Sequence, residues 1–226
     1  MNSSELLEAF RLDVEDLSDP PLWSDLEIYR YLNDACFQFV RMTGGIADFT
    51  SEACEVEITA GEATSPLHPS VLRVMSAKRR SDNREIEVVN ITDLHAHYRS
   101  DYGVRVKQFL DDTPGPVRMM VLGMQRELVR WVQVPEFDDA VDMVVYRLPL
   151  APITGAGQTL DGIEEIHHLH LLDWMRHLAY KKKDLETLSV KESERAGQSF
   201  MAYCEQVRAE WERYKHKTRV VAYGGL

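Results

Sequence analysis

Apolar positions along the chain change their spacing twice, from helical to alternating and back to helical. In "SDLEIYRYLNDACFQFVRMTGG", Ile28, Tyr31, Leu32, Ala35, Cys36, Phe39 and Val40 recur every three or four residues and define one face of a helix. Ser24 and Glu27 form a capping box at its start, and Gly44 and Gly45 supply its stop. Upstream, "SELLEAFRLDVED" predicts a short helix that packs on a neighbour, and "DLSDPPLW" a turn.

From about Ser51 to Pro149 the period falls to two. Six strands are predicted: "CEVEITA", "SVLRVMSA", "EIEVVNIT", "PVRMMVLG", "ELVRWVQV" and "AVDMVVYRL". The connections "AGEATSPLHPS", "RRSDNR", "DDTPGP" and "PEFDD" are rich in turn residues. "RWVQVPEFDDAVDMVVYRL" suggests a hairpin around an acidic turn, and short connections between the later strands predict antiparallel pairing.

After the loop "PLAPITGAGQTLDG" the helical period returns. One helix is expected from Glu164 to about Lys183. Ser189 and Glu192 open a second, with an apolar stripe of Phe200, Met201, Cys204, Val207, Trp211 and Tyr214. The short connection predicts an antiparallel pair. The expected fold class is therefore α+β. A helical bundle, the N-terminal helix plus the C-terminal antiparallel helix pair, is drawn from residues 1–50 and 160–216. An antiparallel β-sandwich or barrel is inserted over 51–150, and an extended tail follows over 217–226.

Composition narrows the function. At 226 residues, 44% hydrophobic and 28% charged, the chain can bury a sizeable core. It has no run of eighteen apolar residues, and "MNSSELLEAFRLDVED" lacks the basic start and apolar core of a signal peptide, so a soluble protein made in a cytoplasm is expected, with no membrane partner. Cys36, Cys54 and Cys204 follow no ligand spacing; Cys36 and Cys204 fall on apolar helix faces and are expected to be buried thiols. A net charge of -11 argues against a broad basic face that wraps nucleic acid. The basic runs "AKRR", "KKK" and "YKHKTR" are local, and are expected to be solvated faces or helix ends.

The densest chemistry lies in "EEIHHLHLLDWMRH", Glu164 to His177, which holds four of the eight histidines. At helical spacing His170, Asp173 and His177 share a stripe that Asp184 extends, and imidazole with carboxylate suits zinc or manganese. His167 and His168 point elsewhere, no HExxH is present, and Glu164 and Glu165 suit a first turn. A polar flank is the expected reading, with His170, Asp173 and His177 as the alternative metal set. No GxSxG, Walker loop or complete GxGxxG occurs, and "TGAGQ" is expected to be a linker. Neither a catalytic site nor a cofactor is expected.

The succession of features resembles the head-to-tail adaptor, or head-completion, proteins of tailed bacteriophages. A helix "W-S-D…YLNDA" (Trp23 to Ala35) comes first. "PLHPSVLRVMSAKR" and "TPGPVRMM" follow in the β-region, then "LPLAP" after "VDMVVYR". The helix "IEEIHHLHLLDWMRHLAYKKKDLET" precedes another with Phe200 near its start. The likeness spans Leu22 to Trp211 and rests on order; the histidine-rich helix and the basic C-terminus depart from it.

The resemblance implies a non-enzymatic virion component of the head–tail neck, synthesised in the host bacterial cytoplasm. Its copies would form a ring, expected to be a dodecamer, that docks on the portal protein, meets a tail or nozzle protein, and extends the DNA channel without specific binding. On this reading Tyr214, Lys215, Lys217, Arg219, Val220, Val221 and Tyr223 form a portal-docking tail, by basic contacts and strand addition. A tail-terminator or baseplate ring, and a metal-dependent hydrolase using the histidine-rich helix, stand as alternatives.

Overall fold

The structure, a computed structural model, describes residues 1–93, 112–182 and 188–215. Asp184 and the tail residues Lys217, Arg219, Val220, Val221 and Tyr223 lie outside the described residues. The chain divides into two compact units, one of Met1–Gly44 with Pro149–Leu226 and one of Gly45–Leu148.

The first unit is helical. It comprises α1 (Ser3–Asp13), α2 (Asp25–Thr43), α3 (Leu171–Tyr180) and α4 (Val190–Lys215). Both ends of α2 behave as the sequence predicts. Ser24 and Glu27 close a reciprocal capping box, and Gly44 takes φ 102°, the left-handed region that glycine adopts without a Cβ penalty. Ile28, Leu32, Ala35, Cys36, Phe39 and Val40 are buried. Tyr29 is buried while Tyr31 is half-buried, because α2 packs against α1, α3 and α4 together and its buried face is wider than one stripe.

The turn between α1 and α2 is built around a carboxylate. Asp16, with its side chain fully buried, accepts the Leu22 N–H at 2.8 Å and the Arg11 guanidinium at 2.7 Å. Arg11 also donates to the Trp23 carbonyl at 3.0 Å and to Asp25 at 2.6 Å. Trp23 then sits edge-on to Phe10 and to Tyr180. The segment containing "TGAGQ" ties down α1: the Ser3 hydroxyl donates to the Gly155 carbonyl, and the Gly157 N–H donates to the Ser4 hydroxyl.

The second unit holds the strands β1 (Ile46–Asp48), β2 (Glu55–Ile58), β3 (Thr64–Pro66), β4 (Val71–Arg79), β5 (Glu85–Asn90), β6 (Pro114–Gly115), β7 (Met119–Leu122), β8 (Leu128–Trp131), β9 (Val134–Pro135) and β10 (Asp139–Arg147). All six strands predicted from alternation are present. Eight strands form one sheet in the order β1-β10-β4-β5-β7-β8-β3, with β2 also paired to β10; β6 and β9 pair separately. The sheet curls into a half-barrel, so its inward residues bury one another: Val56, Ile58, Val74, Ile86, Met120, Val129, Trp131, Val141 and Val145 make one core without a second large sheet.

Two expectations need correction. The sheet is mixed, because β5 and β7 run parallel, with Glu87 opposite Met119 and Asn90 opposite Leu122. The stretch from Ile91 to Arg118 is long enough for the crossover that parallel pairing requires. The expected hairpin of β8 and β10 does not form. β8 pairs with β7 and β3, and β10 with β4, β1 and β2, while the connection between them carries β9, which pairs with β6. Alternation identifies a strand but not its neighbour.

Against β10, Asp48 of β1 meets Arg147, both buried. Burial pushes the Asp48 carboxyl up, but donors from Thr50, Arg147 and Ser51 outweigh it and hold the group well below the usual carboxylate range.

Candidate functional site

The histidine-rich stretch is not one α-helix from Glu164. Glu165–His170 winds as a 3-10 helix, and α3 begins only at Leu171. The tighter winding places His167 and His168 in the protein interior, both below 10% exposed. His167 Nδ1 lies 2.8 Å from the Tyr203 hydroxyl, with its ring against Phe39, and His168 Nε2 donates to the Ile163 carbonyl at 3.0 Å. Desolvation holds His167 below the ordinary histidine value, opposed by the charges of Glu164 and Glu210.

The stripe of His170, Asp173 and His177 faces α4, and each member is committed to a different partner. His170 stacks on Tyr203 at a centroid distance of 3.5 Å. Asp173 accepts from Arg176 and, at 2.9 Å, from the Ser199 hydroxyl. His177 lies beside Trp174, and its Nδ1 donates to the Ser193 carbonyl at 2.9 Å while the Ser193 hydroxyl donates to the His177 carbonyl at 2.8 Å. Among the described residues no three His, Cys, Asp or Glu side chains gather around one point that could hold a metal ion.

These contacts give the pairing its direction. The Ser189 N–H donates to the Tyr180 carbonyl, His177 meets Ser193, Asp173 meets Ser199, and His170 meets Tyr203, so α3 and α4 run antiparallel. Tyr203 and Gly197 escaped the reading of the sequence. Tyr203 spans His167 and His170, and Gly197 leaves room for the His177 ring, whose Nδ1 would lie 2.9 Å from an added Cβ.

The apolar stripe of α4 is buried only in part. Phe200, Cys204 and Val207 are in the core, whereas Met201 and Trp211 are about two-fifths exposed and Tyr214 is 86% exposed. The predicted portal-docking segment therefore begins on an exposed helix end. In two of the basic runs cations are paired: Arg79 with Asp82, Arg80 with Asp142 and Glu55, and Lys182 with Glu27 at 2.8 Å. Cys36, Cys54 and Cys204 are buried free thiols, and burial pushes Cys36 and Cys204 up to about 12, which suppresses the reactive thiolate.

Clefts among the described residues include one in each unit. One of about 600 Å³ opens beside β4, β5 and β7, floored by Leu67, Val71, Val88 and Leu122 and bordered by Arg73, Arg126 and Glu127; its lining contains no His, Cys or Ser. The other, about 400 Å³, is where Arg176 bridges Asp13 and Asp173. The second cleft holds the Ser199 hydroxyl against the Asp173 carboxylate, which Arg176 also occupies, and its lining contains no His or Cys.

No helix among the described residues is long and apolar enough to cross a membrane. No curated protein matches the chain. The family model described as SU10 adaptor protein matches residues 1–219, covering both units.

Proposed function

The chain belongs to the SU10 adaptor protein family, a phage head-to-tail adaptor family, and on that premise we propose that its copies form a ring, expected to be a dodecamer, that docks on the portal and prolongs the DNA channel toward the tail. The observation that carries this reading is the match over residues 1–219, which takes in the helical unit and the β unit together.

Physical features support it. The net charge of -11 suits a conduit, since an acidic lumen repels phosphates and lets DNA slide instead of sticking. The helix pair flanks the ring and contacts the portal, and the β unit faces the neighbouring subunit or the adjoining tail component. The segment from Tyr214 to Leu226 docks on the portal, with Lys215, Lys217 and Arg219 for charge and Val220, Val221 and Tyr223 for strand addition.

Truncation after Trp211 tests the docking assignment. The last buried residues of α4 are Cys204 and Val207, so the shortened chain is expected to keep its circular dichroism and its urea midpoint while losing portal binding. Portal binding at full strength by the truncated chain would refute the role of the tail.

A further inference from the structure

The sheet of the β unit parts between two of its strands. β4 and β5 are in register only at one end, where Ala77 faces Ile86 and Lys78 faces Glu85. Beyond that point β5 pairs on its far side with β7, from Glu87 opposite Met119 to Asn90 opposite Leu122, while β4 stays with β10. Among the described residues no strand is in register with the β5 side of β4 from Val71 to Ser76, or with the β4 side of β5 from Glu87 to Asn90. The Glu87 N–H donates to the Arg118 carbonyl at 2.9 Å on the β7 side, so by strand alternation the backbone groups of Val88 face the other way.

That gap is the cleft of about 600 Å³. Leu72, Arg73 and Val74 of β4 and Val88 and Asn90 of β5 all line it, so the two free edges open on one space. Leu67 and Leu122, half-buried against the β core, add an apolar floor. Arg73 and Arg126 balance Asp93 and Glu127 around it, so the cleft favours neither sign of charge. What these walls lack is a row of backbone donors and acceptors at strand spacing. An extended chain supplies that row, and turns every second side chain to the floor.

We propose that this gap receives an extended segment of the adjoining tail component, which adds as a strand on the free edge of β4 and lays alternate apolar side chains on the floor. That source rests on the proposed function, which assigns this chain's own C-terminal segment to the portal. The gap itself is argued from register and lining, and stands without that assignment.

The test titrates short labelled peptides into the full chain and follows fluorescence anisotropy, with amide exchange read by NMR. A peptide of alternating valine and threonine is expected to bind saturably, with little dependence on salt, and to slow exchange within Val71–Ser76. Its twin with every amide N-methylated, which cannot donate to a strand edge, is expected to bind roughly tenfold more weakly. Leu72→Asp and Val88→Asp are each expected to weaken binding by a similar factor, and Phe137→Asp, exposed elsewhere in the β unit, to leave it unchanged. Circular dichroism checks each fold, and Leu72, 44% exposed, keeps the test open if Val88→Asp does not fold. The adjoining tail component, added unlabelled, is expected to displace the peptide. Absence of saturable binding, equal binding of the N-methylated twin, undiminished binding to Leu72→Asp, or no displacement would overturn the proposal. So would tighter binding of a peptide of residues 216–226, which would make a second copy the occupant, or of residues 94–111, which would make it the chain's own connection. Portal binding by the full chain, measured separately, reports on the proposed function alone.

Discussion

At Gly197, α4 leaves no room for a side chain against the His177 ring of α3. The His177 ring is held by Trp174 on one side and by Ser193 on the other, so it cannot swing away from a methyl group added at Gly197. Replacing Gly by Ala inside a helix normally gains about 1 kcal/mol, whereas overpacking costs about 1–3 kcal/mol. Gly197→Ala is therefore expected to lower the urea midpoint, and Gly197→Ala with His177→Ala to recover part of the loss; a stabilised single variant would show that the contact is slack. His167 yields a pH prediction. Its folded value lies below the ordinary 6.5, so the unfolded chain takes up the proton first as the pH falls. The neutral buried ring contributes fully above about pH 6.5, and the contribution declines as the pH drops from there toward the lowered folded value. Between pH 7 and 5 the native chain should lose stability more steeply than His167→Gln in urea titrations, and parallel slopes would refute the assignment. Such roles were only partly legible. Four histidines in one stretch announced polar packing or a ligand set, but the partners that decide between them, Tyr203, Ser193 and Ser199, lie on a different helix, and pattern within one segment cannot report them.

Elements were the most legible scale, because caps and periodicity are written locally. α2 was readable at both ends from Ser24, Glu27 and Gly44, and the six longer strands from alternation. Ser24→Ala should cost about 1 kcal/mol, read from the urea midpoint, since it removes the acceptor for the Glu27 N–H; an unchanged midpoint would mean that solvent replaces the cap at no loss. Strands of two or three residues, β1, β3, β6 and β9, were missed, being too short to show an alternation. The parallel β5–β7 pair and the absent β8–β10 hairpin were misread for another reason: pairing is decided by which apolar faces close the half-barrel, a tertiary matter. In the same way, the 3-10 winding of Glu165–His170 is a tertiary override of a sequence that also suits an α-helix, since it turns His167 and His168 inward.

At the scale of the molecule, the chain carries an acidic balance, a helical unit built from both ends of the sequence, and a β unit formed by the residues between them. The family match over residues 1–219 takes in residues of both units. The central claim is assembly on a portal. Its most direct test is the mass of the full chain in solution, alone and after mixing with the portal ring, by size exclusion with light scattering. The expected result is a monomer that joins the portal ring at twelve copies per ring. A chain that closes into rings without the portal and ignores it when added would contradict that account and point to a tail-terminator or baseplate ring.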